Sequence, residues 1–206
     1  MPLASLQPYP LKDQSVRTRT LVVASVGDAP MTLEEAKNYL RIYHSEDDDD
    51  IPRLVNEAYG IVEARTGRMI RTFTGTLTMD RFPDAGPIVL PRPPLTAVTA
   101  ISYYDTANTL QTIAGAQVQT AAVPGLIHLP TTLVDWPATK ERLDAVTITF
   151  TGGGVEPEQL RAAVRLLLNL SYHDLEPSKA EQVNSRIDGL CHGYTLRDPR
   201  LYGISL

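Results

Sequence analysis

Between residues 31 and 67 the apolar positions recur at intervals of three and four. In "MTLEEAKNYLRI" Leu33, Ala36 and Leu40 fall on one face. Thr32 followed by Glu35 has capping-box spacing: the hydroxyl accepts from the amide three residues on, and the glutamate reaches back to the cap amide. The pattern predicts a short amphipathic helix over about 32–42. In a second run, Ile51, Leu54, Val55, Ala58, Val62 and Arg65 keep the helical period, and Gly67 stands where a left-handed C-terminal residue belongs. Pro52 is tolerated only in a first turn, since deeper in it would lose a backbone bond and clash. The helix therefore starts at residues 49–51, and the acids Glu46 to Asp50 stand at its entrance. There they meet unpaired amides and the positive end of the helix dipole, each carboxylate contributing about 0.3–1 kcal/mol.

From residue 68 to 154 the period falls to two. "RTFTGTLTMDRF" alternates Phe73, Gly75, Leu77 and Met79 against threonines. Short strands follow in "GPIVL", "LTAVTAISYYD", "TLQTI", "AQVQTA", "GLIHL" and "DAVTITFTGGG". Pro91 to Pro94 cannot sit in a central strand and mark a crossover or edge, while Asp105 to Asn108 carry hairpin chemistry. Another strand is expected near 20–26, after a proline-bearing arm. A last helix, with Pro157 at its first position, buries Leu160, Val164, Leu167, Leu168 and Tyr172. Residues 177–206 lose the period and gain turn residues, yet end in Tyr194, Leu196, Leu201, Tyr202, Ile204 and Leu206, too apolar for a disordered tail.

The expected class is α+β. Two N-terminal helices and a long C-terminal one flank short strands whose spacing suggests a small antiparallel sheet or barrel, with extended terminal arms. The divisions are an arm at 1–30, helical core at 31–67 and 155–176, the β insertion at 68–154 and a docking tail at 177–206.

Composition narrows the function. At 206 residues the chain can bury a core without staples, and its single cysteine, Cys191, excludes an internal disulfide and suggests a cytosolic origin. No stretch approaches a membrane span, and the N-terminus lacks the charged-then-apolar pattern of a secretory signal. A net charge of −5 with no clustered basic run argues against a protein whose task is gripping phosphates.

Each candidate for chemistry has a plainer explanation. Residues 46–50 lack the glycine and terminal glutamate of a calcium loop. Cys191 and His192 are neighbours, and adjacent side chains point apart, which disfavours a nucleophile–base dyad. The four histidines show no zinc spacing. Gly152 to Gly154 open a helix entered by Glu156 and Glu158, which would repel phosphate, so a flexible turn is the simpler reading. Tyr103 and Tyr104 could stack bases, but no basic residues interleave with them. No catalytic residue, cofactor or metal is expected. Arginines far outnumber lysines, and Arg161 and Arg165 lie one helical turn apart, which favours protein–protein contact.

Taken together, "MTLEEAKNYLRIYHSEDDDDIPRLVNEAYGIVEARTGRMI" resembles the head–tail connector, or adaptor, proteins of tailed bacteriophages and gene transfer agents. The residues that carry the resemblance are Leu33, Glu35, Ala36, Lys37, Leu40 and Arg41, then Glu63, Thr66, Gly67 and Arg68. It continues in "LPRPPLTAVTAISYYD", "DAVTITFTGGG" and "EQLRAAVRLLLNLSYHD", over about residues 31–175, and the tail departs from the pattern. The resemblance implies a small helical bundle with an inserted antiparallel β subdomain between the second and last helices, in a non-enzymatic virion protein made in the host cytoplasm. It would sit as a ring, usually of twelve copies, under the portal protein, extend the DNA channel and offer a surface to the next neck or tail protein. DNA would be non-specific cargo, and no membrane is involved.

By analogy with terminal arms that reach onto the portal, the expected docking residues are Tyr194, Arg197, Arg200, Leu201 and Tyr202. Arg53, Glu57, Arg161 and Arg165 are the expected contacts between copies, since a ring needs two different complementary faces. The alternative is another neck or tail-completion protein, a stopper or terminator. An enzyme or a nucleic-acid binder ranks below both.

Overall fold

The computed structural model describes residues 19–84, 86–120, 125–129, 133, 135–173 and 176–196. Its elements run β1 (Arg19–Val26), α1 (Leu33–Leu40), α2 (Ile51–Thr66), β2 (Phe73–Met79), β3 (Ile88–Leu90) and β4 (Leu95–Tyr104). There follow β5 (Leu110–Thr112), β6 (Gln117–Gln119), β7 (Gly125–His128), β8 (Val146–Gly152), α3 (Glu158–Tyr172) and α4 (Pro177–His192). Helices and antiparallel sheets make this an α+β fold. No described helix is long and apolar enough to cross a membrane.

The strands form a five-stranded sheet, ordered β1-β2-β8-β4-β5, and a three-stranded one, ordered β3-β7-β6. Alternation decides which face is inward. β2 buries Phe73, Leu77 and Met79, and β8 buries Val146, Ile148 and Phe150. Leu77 stands opposite Ile148, and the rings of Phe73 and Phe150 meet edge to face at 5.8 Å. The threonines between them face outward. The proline cluster lies between β3 and β4, where the chain passes from one sheet to the other. At the β4–β5 hairpin the Asp105 carboxylate accepts from the amides of Ala107 and Thr109, and Asn108 takes φ +62°.

A separate apolar cluster lies among the helices. Ala36 and Leu40 of α1, Ile51, Val55, Tyr59 and Val62 of α2, and Leu160, Val164 and Leu168 of α3 are buried together. The Thr32–Glu35 capping box forms in both directions, at 3.2 and 3.0 Å, and Arg41 in the left-handed region ends α1. Pro157 is the cap before α3, one position earlier than its expected place.

The principal departure from the sequence pattern is α4. Residues 177–192, expected as the aperiodic start of a tail, are helical and bury Ile187 and Cys191 in the helical core. The helical core therefore takes in residues of two C-terminal helices instead of one.

Candidate functional site: the docking surfaces and the junction behind them

The chain passes from helix to sheet at residues 63–71, and the Glu-x-x-Thr-Gly-Arg residues build that passage. Thr66, fully buried, donates its hydroxyl to the Val62 carbonyl at 2.8 Å and accepts from the Arg68 amide at 3.3 Å. Gly67 takes φ +71°, and its amide closes α2 on the Glu63 carbonyl at 2.9 Å. Glu63 is itself buried. Its Oε1 accepts from the amides of Ile70 and Arg71 at 2.9 and 2.8 Å, and its Oε2 accepts from the Arg71 guanidinium at 2.7 Å. Ile70 packs in the helical core and Met69 in the sheet core, so this carboxylate pins the point where the two cores meet. Nothing in the residue pattern alone marked Glu63 as buried. Only its place in the resemblance drew attention to it.

The end of the described chain docks on the same junction. The Leu196 amide donates to the Thr66 carbonyl at 2.9 Å, and its side chain lies 3.4 Å from where a Cβ on Gly67 would stand. Arg68 Nε donates to the Tyr194 carbonyl at 2.7 Å, and its guanidinium lies 5.7 Å from the Tyr194 ring centre. The Tyr194 hydroxyl donates to Gln159 of α3 at 2.8 Å. Tyr194 is thus engaged within its own chain. Arg197, Arg200, Leu201 and Tyr202, the other expected docking residues, lie outside the described residues.

The four expected contact residues differ in what they have free. Arg53 and Glu57 are well exposed on α2, and among the described residues Arg53 reaches Asp50 at 3.5 Å and Glu57 at 4.0 Å. Arg161 is mostly covered and spans to Glu35 of α1 at 2.7 Å and to Glu156 at 3.5 Å. Glu156 also accepts the hydroxyl proton of buried Tyr59, and burial beside that carboxylate pushes the phenol pKa far up. Arg165 pairs with Glu158 at 3.2 Å on the α3 surface. Among the described residues no hydrogen bond or ion pair joins the α2 pair to the α3 pair.

The remaining candidates resolve into structure. Asp50 caps α2 with no side-chain bond, contrary to the expected capping role of the acid run. Asp48 instead pairs with Lys37 of α1, and Asp47 accepts the Tyr172 hydroxyl proton from α3 at 2.6 Å, so the acids fasten neighbouring helices to the entrance. Cys191 is buried, and desolvation raises its thiol pKa, the opposite of what a nucleophile needs. The glycine turn is pinned where flexibility was expected. The Gly153 and Gly154 amides donate at 2.9 Å to the carbonyls of Pro94 and Ile70, which leaves neither for a phosphate. Among the described residues no three His, Cys, Asp or Glu side chains gather as a metal site.

Solved structures with this architecture exist. A chain from the neck of an empty gene transfer agent (GTA) particle, computed with C6 symmetry, matches at a TM-score of 0.64 and 23% identity, covering 87% of this chain and 97% of that one. This chain has the fold of a GTA neck component. A chain of the virion of the native GTA particle matches at 0.62 and 24% identity, with 86% and 96% covered. One from the neck of the native particle, computed with C12 symmetry, matches at 0.60 and 23%, with 86% and 97% covered. No family model and no curated protein matches the chain. The coverage matters more than the identity. It takes in nearly the whole of the neck chain, so the likeness is one of the overall fold.

Proposed function

We propose that this protein is a structural, non-enzymatic component of a virion neck: a head–tail connector adaptor that binds the portal as a ring, extends the DNA channel and joins the capsid to the next neck or tail protein. The observation that carries this reading is the likeness to the GTA neck chain over 97% of that chain's length. The C6 and C12 symmetries of the matched neck assemblies favour a ring, and the C12 neck favours twelve copies. The described residues add support of another kind: the tempting groups, Cys191, the glycine turn and the acid run, are all spent on folding. Arg53 and Glu57, exposed and of opposite charge on one helix, are suited to a heterologous contact between copies, with Arg165 the better placed of the two α3 arginines.

The test is assembly of the full-length chain on the portal protein encoded by the same genome, scored by size and by negative-stain imaging. A ring on the portal supports the adaptor role, and Arg53→Glu then weakens it without lowering thermal stability. Binding only to another neck or tail protein would assign the chain to a stopper or terminator instead. Binding to none of them would remove the neck reading.

A further inference from the structure

The outward face of the five-stranded sheet differs in composition from the rest of the chain. β2 and β8 set Thr74, Thr76 and Thr78 opposite Thr151, Thr149 and Thr147. The same rows continue in hydroxyl or small apolar residues on the flanking strands, from Val22 on β1 to Ala100 on β4. No position in these rows carries a charge, in a chain whose residues are 21% charged. Val22 is 54% exposed, and Ala97 and Ala100 are exposed as well. The other face of the sheet is spent on the β core, packed with Ile88, Leu90 and Ile127 of the three-stranded sheet. Strand propensity favours threonine, but loss of charge across four strands is the compositional mark of an interface core.

The chemistry of the face selects its occupant. Without lysine or arginine it has nothing to hold phosphates, so it does not suit a nucleic acid. A hydroxyl both donates and accepts, so a hydroxyl face can satisfy an identical face, which a row of carboxylates or ammonium groups cannot. Two copies, each of net charge −5, can also meet here without bringing like charges together.

We propose that the free chain pairs with a second copy through this face, sheet on sheet, the threonine methyls of one copy lodged between those of the other. Four strands at about 4.8 Å and about six residues at roughly 3.4 Å give a patch of about 19 by 20 Å, about 400 Å² in plan. Two such patches bury about 800 Å², short of the roughly 1,200 Å² at which standard interfaces begin. The pair is accordingly weak, with dissociation in the range of about 10–500 µM. It closes on a two-fold axis, whereas a ring needs a heterologous contact, so it concerns the free chain and stands apart from the neck reading.

The experiment is sedimentation velocity on the full-length chain over about 5–500 µM. Wild type is compared with Thr149→Lys at the centre of the face, Val22→Lys on its exposed flank, and Thr106→Lys in the β4–β5 hairpin, outside it. Circular dichroism and urea unfolding check the fold of each, and Val22→Lys keeps the test decisive where Thr149→Lys does not fold. Wild type and Thr106→Lys pass from monomer to dimer over this range, and raising salt from about 50 to about 500 mM leaves the pair at least as strong. In a two-fold pair a central lysine meets its own counterpart, so Thr149→Lys and Val22→Lys raise the dissociation constant about tenfold or more. A wild type that stays monomeric, dimers unmoved by the two face variants, or dimers dissolved by salt would overturn the proposal. Species that grow past the dimer would show a heterologous contact and overturn it as well.

Discussion

Replacing Glu63 by alanine tests the junction directly. The substitution strands two buried backbone amides, those of Ile70 and Arg71, and removes the partner of a guanidinium that is itself largely covered. Each orphaned amide costs about 1–3 kcal/mol. Breaking a buried ion pair from one side costs about 3–5 kcal/mol, because the other charge stays behind. The two accounts describe overlapping losses and should not be added, so the expected destabilisation is about 3–5 kcal/mol, a large share of the roughly 5–15 kcal/mol that holds a typical domain. Urea unfolding should be followed by helix circular dichroism and by the fluorescence of Trp136, which stacks on Phe82 at 4.9 Å within the β region. Both transitions should move together, by about 1–3 M. Glu63→Gln keeps an acceptor for the amides and loses less. The double variant with Arg71→Met should show a coupling of about 0.5–3 kcal/mol. A Glu63→Ala loss under about 1 kcal/mol, or full additivity with Arg71→Met, would refute the role given to this carboxylate.

Three further outcomes can be checked with the same assay. Gly153→Ala should cost about 1–3 kcal/mol or prevent folding: φ is +76°, and an added Cβ would stand 3.1 Å from the Thr72 Cα and nearer still to the Arg71 carbonyl. Ile187→Ala should cost about 2–5 kcal/mol, the penalty of a cavity in the core, where a tail residue would cost almost nothing. Glu35 is held below its ordinary carboxylate value of 4.5, first by the Thr32 amide and then by Arg161. A depressed folded-state value stabilises above the unfolded one and is lost as pH falls through the folded one. The stability gap between wild type and Glu35→Gln should therefore be open at neutral pH and shrink as the pH falls below the ordinary carboxylate value of 4.5.

Much of the fold was legible because local and global signals agreed. Thr32 and Glu35 state a cap that forms, Gly67 states a helix end that forms, and the threonine alternation of β2 and β8 states which face is buried. α4 escaped because its signal is sparse. Its apolar residues, Val183, Ile187, Leu190 and Cys191, keep the helical spacing of four, three and one. Only Ile187 and Cys191 are deeply buried, however, and polar residues and Gly189 fill the rest. Its start is marked only by Pro177 in the first turn, a signal equally at home in a loop. The acid run marked the start of α2 correctly, and its side-chain capping failed for a different reason. Helix entrances attract carboxylates, but whether a given acid caps or reaches a neighbouring helix depends on tertiary partners such as Lys37 and Tyr172, which lie 11 and 125 residues away in the chain.

The same distinction decides which residues remain for partners. An arginine on a helix looks like an interface residue because its fork binds carboxylates well, and that chemistry serves equally well inside one chain. Arg161 uses it on Glu35 and Glu156, and removing it would loosen α1 and α3 before any contact between copies was tested. Tyr194 and Leu196 are held by α2, α3 and the junction, so a chain shortened at Asp188 would lose part of its core together with its tail. A binding defect in such a truncation could not be assigned to docking. Arg53 and Glu57 escape this objection. Among the described residues their ion pairs are local ones along α2, and surface pairs of that kind contribute about 1 kcal/mol or less, so a charge reversal there changes the surface and leaves the fold intact. Contact between copies is therefore best sought first on the outer face of α2.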